Sequence, residues 1–209
     1  MRIETRDRSE RGNALIQMMI VIAIIGIITV AGSTEWINAR KHSESVQAAR
    51  LFKSFLIEAR MLSVYKVRDH FVVYDPATRV LSLYDDTASP VGVFTTADTR
   101  IRREALPMRV TLALPSSPSP LAGPLGTGNV GSAWGIALPD TTGAWGSNLR
   151  GVRATPTGQI ESVEATPQTV SAGTIVLSDS DGNTVAVGVR GQMGSVRSFK
   201  LVSSVWKEL

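Results

Sequence analysis

Residues able to perform catalysis are sparse in this chain of 209 residues. Cysteine is absent, and the two histidines, His42 and His70, are isolated, with no spacing suited to a metal site. We expect both to be ordinary surface or edge residues. No Gly-x-Ser-x-Gly sequence marks a serine nucleophile, and Gly126-Thr127-Gly128-Asn129 lacks the lysine of a phosphate-binding loop. The sequence therefore predicts a protein that is not an enzyme and that needs no cofactor or metal.

One acidic segment has residue types that calcium prefers. Asp179-Ser180-Asp181-Gly182-Asn183 places alternating carboxylates before a glycine, as the start of some calcium loops does. The bidentate glutamate that completes such loops does not follow. The same residues, between two alternating runs, are typical of a hairpin turn, and this is the interpretation we favour.

Positive side chains occur in two groups. The first group contains Arg100, Arg102, Arg103 and Arg109, and the second contains Arg190, Arg197, Lys200 and Lys207. Such groups can contact phosphates without sequence preference, although basic residues on strands are more often solvated charges. The net charge is only +4. Composition thus permits nucleic acid or anionic lipid as a partner and requires neither.

An apolar run lies near the start of the chain. Residues 15–31 contain Gln17 as their only strongly polar side chain. A helix of about 17 to 25 apolar residues crosses a bilayer core, so residues 13–33 are predicted to span a membrane. Basic residues in the segment 1–12 predict that this end stays in the cytoplasm and that the C-terminal part is exported.

The helical pattern continues beyond the apolar run through residues 34–68. Apolar side chains recur at three- and four-residue steps, charged residues occupy the other positions, and no proline interrupts them. We therefore predict one helix of about fifty residues, far longer than an ordinary globular helix. Its amphipathic second half should pack on a folded domain through Phe52, Phe55, Leu56 and Leu62.

Residues 69–209 are predicted to form a β-rich domain with a single core. Strands are expected at residues 70–75, 79–84, 109–114, 132–138, 173–178, 184–190 and 196–202. Prolines and glycines in residues 115–131 predict a long loop. The predicted fold class is α+β, with one long N-terminal helix packed on a C-terminal antiparallel β-sheet domain.

Two cleavage sites compete for the maturation of this chain. A signal peptidase cutting near Ala31-Gly32-Ser33 would discard the apolar helix and leave a secreted periplasmic β-domain protein. A cut after Gly12 would keep the helix on the mature chain. We favour the cut after Gly12, because the apolar run exceeds the usual secretory core of about 7 to 15 residues.

The segment from Arg11 to Gly26 resembles the class III signal of type IV pilins and pseudopilins, in which prepilin peptidase cuts after a glycine. The resemblance implies a pilin-like fold, cleavage between Gly12 and Asn13, and methylation of Asn13 as the new N-terminus. Other segments are similar to the GspH/FimT branch of that superfamily, which includes the FimU-like minor pilins: residues 48–60, 70–75, 173–179 and 191–197.

The resemblance implies a structural subunit of a type II secretion pseudopilus or a type IV pilus. Its partners would be other pilins, contacted through the N-terminal helix, together with prepilin peptidase and the inner-membrane assembly platform. The chain would be a single-pass protein of the bacterial inner membrane, with its C-terminal domain in the periplasm, before it enters the filament.

Two residues depart from the family pattern. Asn13 stands where the family usually has phenylalanine, and Gln17 stands where it usually has glutamate. In such filaments the glutamate is thought to compensate the N-terminal amine of a neighbouring subunit, because an unpaired buried charge is costly. Gln17 cannot neutralise that amine, so we expect a minor subunit at the filament tip. The alternative is a tolerated substitution with no positional meaning.

A second function also follows from the resemblance. Some FimT-like pilins bind DNA during natural transformation through a basic C-terminal motif. The segment Gly194-Ser195-Val196-Arg197 is similar to that motif in part, with Ser195 where a second arginine would be expected. The alternative is therefore a DNA-binding minor pilin whose contacts include Arg190, Arg197 and Lys200.

Overall fold

The computed structural model describes residues 6–114, 123–125, 149–162, 173–190 and 194–209. Within these ranges, the side chains of residues 6–15, 31, 33–42 and 162 are not described. The chain divides into two compact units, Met1–His42 and Ser43–Leu209. The predicted strand at residues 132–138 and all of the predicted loop at 115–131 except 123–125 lie outside the described residues.

The single helix of the described chain, α1, covers Arg6–Lys66. It ends where Val67 takes a φ of 54°, a left-handed conformation that cannot continue the helix. The backbone N–H of Arg68 then donates to the carbonyl oxygen of Ser63 at 3.2 Å, which satisfies one of the last helical acceptors. Lys66 places a positive charge in the final turn, where the helix dipole favours it.

Among the described residues, no helix combines the length and the hydropathy that crossing a membrane requires.

The strands in chain order are β1 His70–Asp75, β2 Val80–Asp85, β3 Thr99–Ala105, β4 Val110–Leu112, β5 Arg150–Ala154, β6 Ile160–Ser162, β7 Gly173–Asp179, β8 Thr184–Arg190, β9 Ser195–Val202 and β10 Val205–Glu208. They form two antiparallel sheets of five strands. Sheet A has the order β3-β2-β1-β5-β6, and sheet B has the order β10-β9-β8-β7-β4. The predicted α+β class with antiparallel sheet is confirmed.

One main core joins the second half of α1 to both sheets. From the helix it takes Ala48, Phe52, Phe55, Leu56 and Ala59. From the sheets it takes, among others, Val72, Tyr74, Leu81 and Leu83 in sheet A and Ile175, Leu177, Val185 and Val187 in sheet B. Within each strand these residues alternate along the chain, so each sheet presents one face to the helix. Smaller clusters cover the opposite faces, around Phe71 and Phe94 on sheet A and around Val176 and Ala186 on sheet B.

Candidate functional site

The first unit exposes a continuous apolar surface on α1. Every side chain from residue 16 to residue 30 is exposed, and the large apolar ones are 50% to 71% exposed. The hydroxyl of Thr29 donates to the carbonyl oxygen of Ile25 at 2.8 Å, so this polar group is satisfied within the helix. Apolar surface costs about 25 cal/mol per Å² when it stays in water. This surface, residues 16–30, therefore needs an apolar partner.

Three sequence-predicted residues lie at this end of the chain. Gln17 is exposed within the apolar surface. Gly12 and Asn13 belong to α1, but their side chains lie outside those that the structure describes. Cleavage between them and methylation of Asn13 stay predictions.

The residues predicted to join the helix to the β-rich domain lie on the inner side of α1. Phe52 and Phe55 are 0% exposed and Leu56 is 1% exposed. Leu62 is partly buried and packs against the same core. The ring of Phe52 lies 5.7 Å from the ring of Tyr74 in β1, measured between centroids. Burial of these large side chains makes α1 the centre of the second unit.

Arg102 in β3 forms a second link to α1 that the sequence did not reveal. Its Nη1 donates to Oε2 of Glu58 on the helix at 2.6 Å, and its Nε donates to Oε1 of Glu104 at 2.8 Å. The guanidinium carbon lies 4.4 Å from the ring centroid of Phe55. The hydrogen bonds that Arg102 donates to Glu104 and Glu58 raise the pKa of its guanidinium. Strand β3 is an edge strand of sheet A, and Arg102 attaches it to the helix.

Arg60 forms a third link, between α1 and two turns. Its Nε donates to the carbonyl oxygen of Gly158 at 3.0 Å, and its Nη1 donates to the carbonyl oxygen of Gly194 at 3.2 Å. Both glycines have positive φ, 78° and 59°. A Cβ at Gly194 would lie 2.3 Å from Nε of Arg60. Only glycine fits at position 194, because the positive φ disfavours other residues and Arg60 leaves no room for a Cβ.

The exposed side of α1 near Arg60 carries a shallow apolar concavity of about 390 Å³. Besides Arg60, its lining residues are Ile57, Met61, Val64 and Tyr65. These residues recur at helical spacing and are 38% to 84% exposed. The sequence pattern assigned the apolar side of this helix to the domain contact alone, so this second apolar stripe was missed.

The predicted basic group is divided between the two faces of sheet B. Val185 belongs to the main core, so Arg190, five positions later on β8, lies on the opposite face. The register pairs Gly188 with Arg197 and Val185 with Lys200. Arg197 therefore shares the outer face with Arg190, whereas Lys200 lies on the face toward the helix. The structure does not bring the three side chains together on one surface.

The Asp179-to-Asn183 segment forms the turn between β7 and β8. Oδ1 of Asp179 accepts hydrogen bonds from the backbone N–H groups of Asp181 and Asn183 at 2.9 and 2.8 Å. Its Oδ2 accepts a third from Nδ2 of Asn183 at 2.8 Å. Gly182 has a φ of 83°, which this tight turn requires. The favoured hairpin interpretation of these residues is confirmed.

His70 contradicts the expectation of a surface or edge residue. It is 0% exposed, and its strand β1 pairs with β2 on one side and β5 on the other. Burial lowers the pKa of His70, although the hydrogen bond with the carbonyl of Arg68 opposes this shift. The expectation was wrong because an isolated histidine carries no local signal that distinguishes a central strand from an edge.

Charged side chains gather at the end of sheet A near His70. Nη1 of Arg153 in β5 lies 3.4 Å from Oδ2 of Asp69, and Nη2 of Arg153 contacts the carboxylate of Glu161. Asp86, only 4% exposed, accepts a hydrogen bond from the N–H of Gly92 at 2.6 Å. Burial raises the pKa of both Asp69 and Asp86, against the opposing influence of Arg153. Within the described residues, no three His, Asp or Glu side chains are placed to hold a metal ion.

No family model and no curated protein sequence matches this chain. Among solved structures, the chain is similar to the minor pseudopilin EpsH from the Type 2 Secretion System of Vibrio cholerae. The TM-score is 0.45 and the sequence identity is 13%, with 75% of this chain and 97% of that chain covered.

Proposed function

We propose that this chain is a non-enzymatic structural subunit, a minor pilin or pseudopilin of the GspH/FimT-like kind, that assembles through its N-terminal helix. The observation that carries the proposal is the exposed apolar surface of residues 16–30 on α1. The same helix supplies Phe52 and Phe55 to the core of a β-rich domain. A helix that is apolar all round needs lipid or other apolar helices as its surroundings.

Assembly under this proposal exchanges one apolar environment for another. The precursor lies in the bacterial inner membrane as a single-pass protein, with residues 69–209 in the periplasm. Prepilin peptidase cleaves between Gly12 and Asn13, and the new N-terminus at Asn13 is methylated. The assembly platform then transfers residues 13–33 from lipid to a bundle of pilin helices, where packing of side chains replaces contacts with lipid.

Gln17 supports a position at the tip of the filament. A carboxylate at this position would compensate the N-terminal amine of a neighbouring subunit, whereas an amide forms hydrogen bonds without neutralising charge. A subunit that is placed once and does not dock on an earlier one loses least by this change. Immunogold labelling of assembled filaments tests the position, and label along the whole shaft would contradict it.

Two glycine substitutions distinguish the proposal from a secreted protein with a cleaved signal peptide. Gly12→Leu should block prepilin peptidase and leave an uncut, membrane-bound precursor, whereas Gly32→Leu should be processed normally. The measurement is N-terminal sequencing of the mature chain from each variant and from the wild type. A mature chain that begins near Ser33, with processing blocked by Gly32→Leu, would contradict the proposal.

A further inference from the structure

The buried imidazole of His70 lies where the end of α1 meets sheet A. Its Nδ1 is 3.1 Å from the carbonyl oxygen of Arg68. Its Nε2 is 3.6 Å from Oδ1 of Asp85, a β2 residue that is 7% exposed. The other carboxylate oxygen of Asp85, Oδ2, accepts a hydrogen bond from Nζ of Lys66 at 2.7 Å. Lys66 is the last residue of α1.

These distances define the tautomer of the neutral ring. A carbonyl oxygen only accepts, so Nδ1 must carry the hydrogen that bonds to Arg68, and Nε2 then carries a lone pair. That lone pair faces Oδ1 of Asp85, which is also an acceptor. Among the described residues, neither atom has a hydrogen-bond partner. Two buried acceptors therefore face each other across a gap that a single proton would bridge.

We propose that His70, Asp85 and Lys66 form a one-proton switch at the junction of α1 and sheet A. A proton taken up from solvent binds Nε2 of His70 and supplies the donor that Oδ1 of Asp85 lacks. In the neutral state the carboxylate is paired with Lys66. In the charged state it is shared between the Lys66 ammonium and the imidazolium. This inference does not depend on the proposed assembly function.

The surroundings of His70 set the direction of the switch. Lys66 from α1 opposes a charge on the ring, whereas Asp85 from β2 and Asp69 from the segment before β1 favour it. On β5 the residue opposite His70 is Ala154, which carries no charge. Burial is the largest influence and lowers the pKa of His70 below the ordinary value of 6.5. The folded state therefore favours the neutral ring, whereas the unfolded chain takes up a proton near pH 6.5. The free energy of unfolding therefore decreases as the pH falls below 6.5.

Nuclear magnetic resonance of the full chain in detergent micelles, with labelled histidine rings, tests the switch. The chain has two histidines, and a His42→Gln variant assigns the signal of His70. In the wild type we expect the Nδ1–H tautomer at neutral pH and a titration midpoint below that of free histidine. Asp85→Asn should lower the midpoint further, because it removes the favouring charge. Lys66→Gln should raise it.

Lys53→Gln is the matched control, since it removes the same charge from the same helix thirteen positions away. At about 1.5 Å per residue this is roughly 20 Å, beyond the screening length of about 10 Å at 0.1 M salt. An Nε2–H tautomer in the wild type overturns the proposal. So does a Lys66→Gln midpoint no higher than that of Lys53→Gln. The Lys66 side chain is 37% exposed, so we expect Lys66→Gln to fold. The comparison of Lys66→Gln with Lys53→Gln therefore tests the proposal even if Asp85→Asn does not fold.

Discussion

The guanidinium of Arg60 and the backbone of Gly194 are joined by a hydrogen bond of 3.2 Å between Nη1 and the carbonyl oxygen. The same side chain donates from Nε to Gly158, in the turn that leads from β5 to β6. Gly194 directly precedes β9, so the two acceptors belong to different sheets. One side chain of α1 thus connects a turn of sheet A with the start of a strand in sheet B.

Replacement of Arg60 by lysine should weaken this connection. A lysine ammonium is a point donor on a flexible stem and lacks the planar fork that reaches both carbonyls. We expect Arg60→Lys to lower the free energy of unfolding by about 1 to 3 kcal/mol. Urea unfolding of the full chain in detergent measures the change. The control is Arg50→Lys, at an exposed position of the same helix, which should change stability by less than about 0.5 kcal/mol.

Two glycine-to-alanine substitutions separate backbone strain from lack of space. Gly182 and Gly194 both have positive φ, but a Cβ at Gly182 meets nothing within 4 Å. At Gly194 it would lie 2.3 Å from Nε of Arg60 and 2.5 Å from the oxygen of Gly158. Gly182→Ala should cost about 1 to 2 kcal/mol from the left-handed conformation alone. Gly194→Ala should cost more, and equal losses in thermal unfolding would contradict the close approach.

The ion pair between Glu58 and Arg102 should show measurable coupling. The two side chains are 33% and 32% exposed, and the Phe55 ring lies beneath the guanidinium. A double-mutant cycle with Glu58→Gln and Arg102→Gln should give a coupling free energy of about 0.5 to 1 kcal/mol. Arg103 is the neighbouring residue of β3 and points to the other face of the sheet. The matched cycle with Arg103→Gln should give no coupling, and comparable values in both cycles would contradict the contact.

The sequence predicted those parts of the fold in which apolar residues follow a pattern that is local in the chain. Strands β1 and β8 were predicted at their observed bounds, 70–75 and 184–190, because each is a run of mainly apolar residues bounded by turn residues. The core-facing side chains Phe52, Phe55 and Leu56 follow from helical spacing. Strand β3 was missed because Thr99–Ala105 contains three arginines and is mostly exposed. It is a strand because of its pairing with β2 and the contact of Arg102 with α1.

The contacts of Arg60 could not be predicted for a different reason. Its two acceptors lie 98 and 134 residues away in the chain. A separation of this size leaves no periodicity or motif around Arg60 itself, and the sequence pattern therefore placed it among ordinary charged positions. The division of Arg190, Arg197 and Lys200 between two faces likewise depends on the register of β8 and β9, which composition does not encode.

A Gln17→Glu substitution tests the proposed tip position. If the amide restricts the subunit to the tip, a carboxylate that compensates a neighbouring N-terminal amine should permit insertion within the shaft. We expect more copies of Gln17→Glu than of the wild type in each purified filament, measured by quantitative mass spectrometry against the major subunit. Gln47→Glu adds the same charge at an exposed position of the second unit and should leave the number unchanged. Equal numbers for the two variants would contradict the role of Gln17.

Asp86 and Asp75 should give stability profiles of opposite sign with pH. Burial raises the pKa of Asp86 above 3.8, so the fold favours its protonated form. The free energy of unfolding of the wild type, relative to Asp86→Asn, should therefore rise as the pH falls from neutral toward 3.8. The hydroxyl of Thr78 donates to Oδ2 of Asp75 at 2.7 Å and lowers the pKa of Asp75. The stability that ionised Asp75 contributes is present above 3.8 and lost below it.

Urea unfolding of the wild type, Asp86→Asn and Asp75→Asn between neutral pH and pH below 3.8 measures both profiles. Each aspartate serves as the control for the other, because a general effect of acid on the fold moves both differences in the same direction. Burial of an ionised carboxylate and donation of hydrogen bonds to it act on the same equilibrium with opposite sign. The two differences in free energy of unfolding, wild type relative to Asp86→Asn and wild type relative to Asp75→Asn, should change with pH in opposite directions. Changes in the same direction, or a difference for Asp86→Asn that does not vary with pH, would contradict the burial of the Asp86 carboxylate.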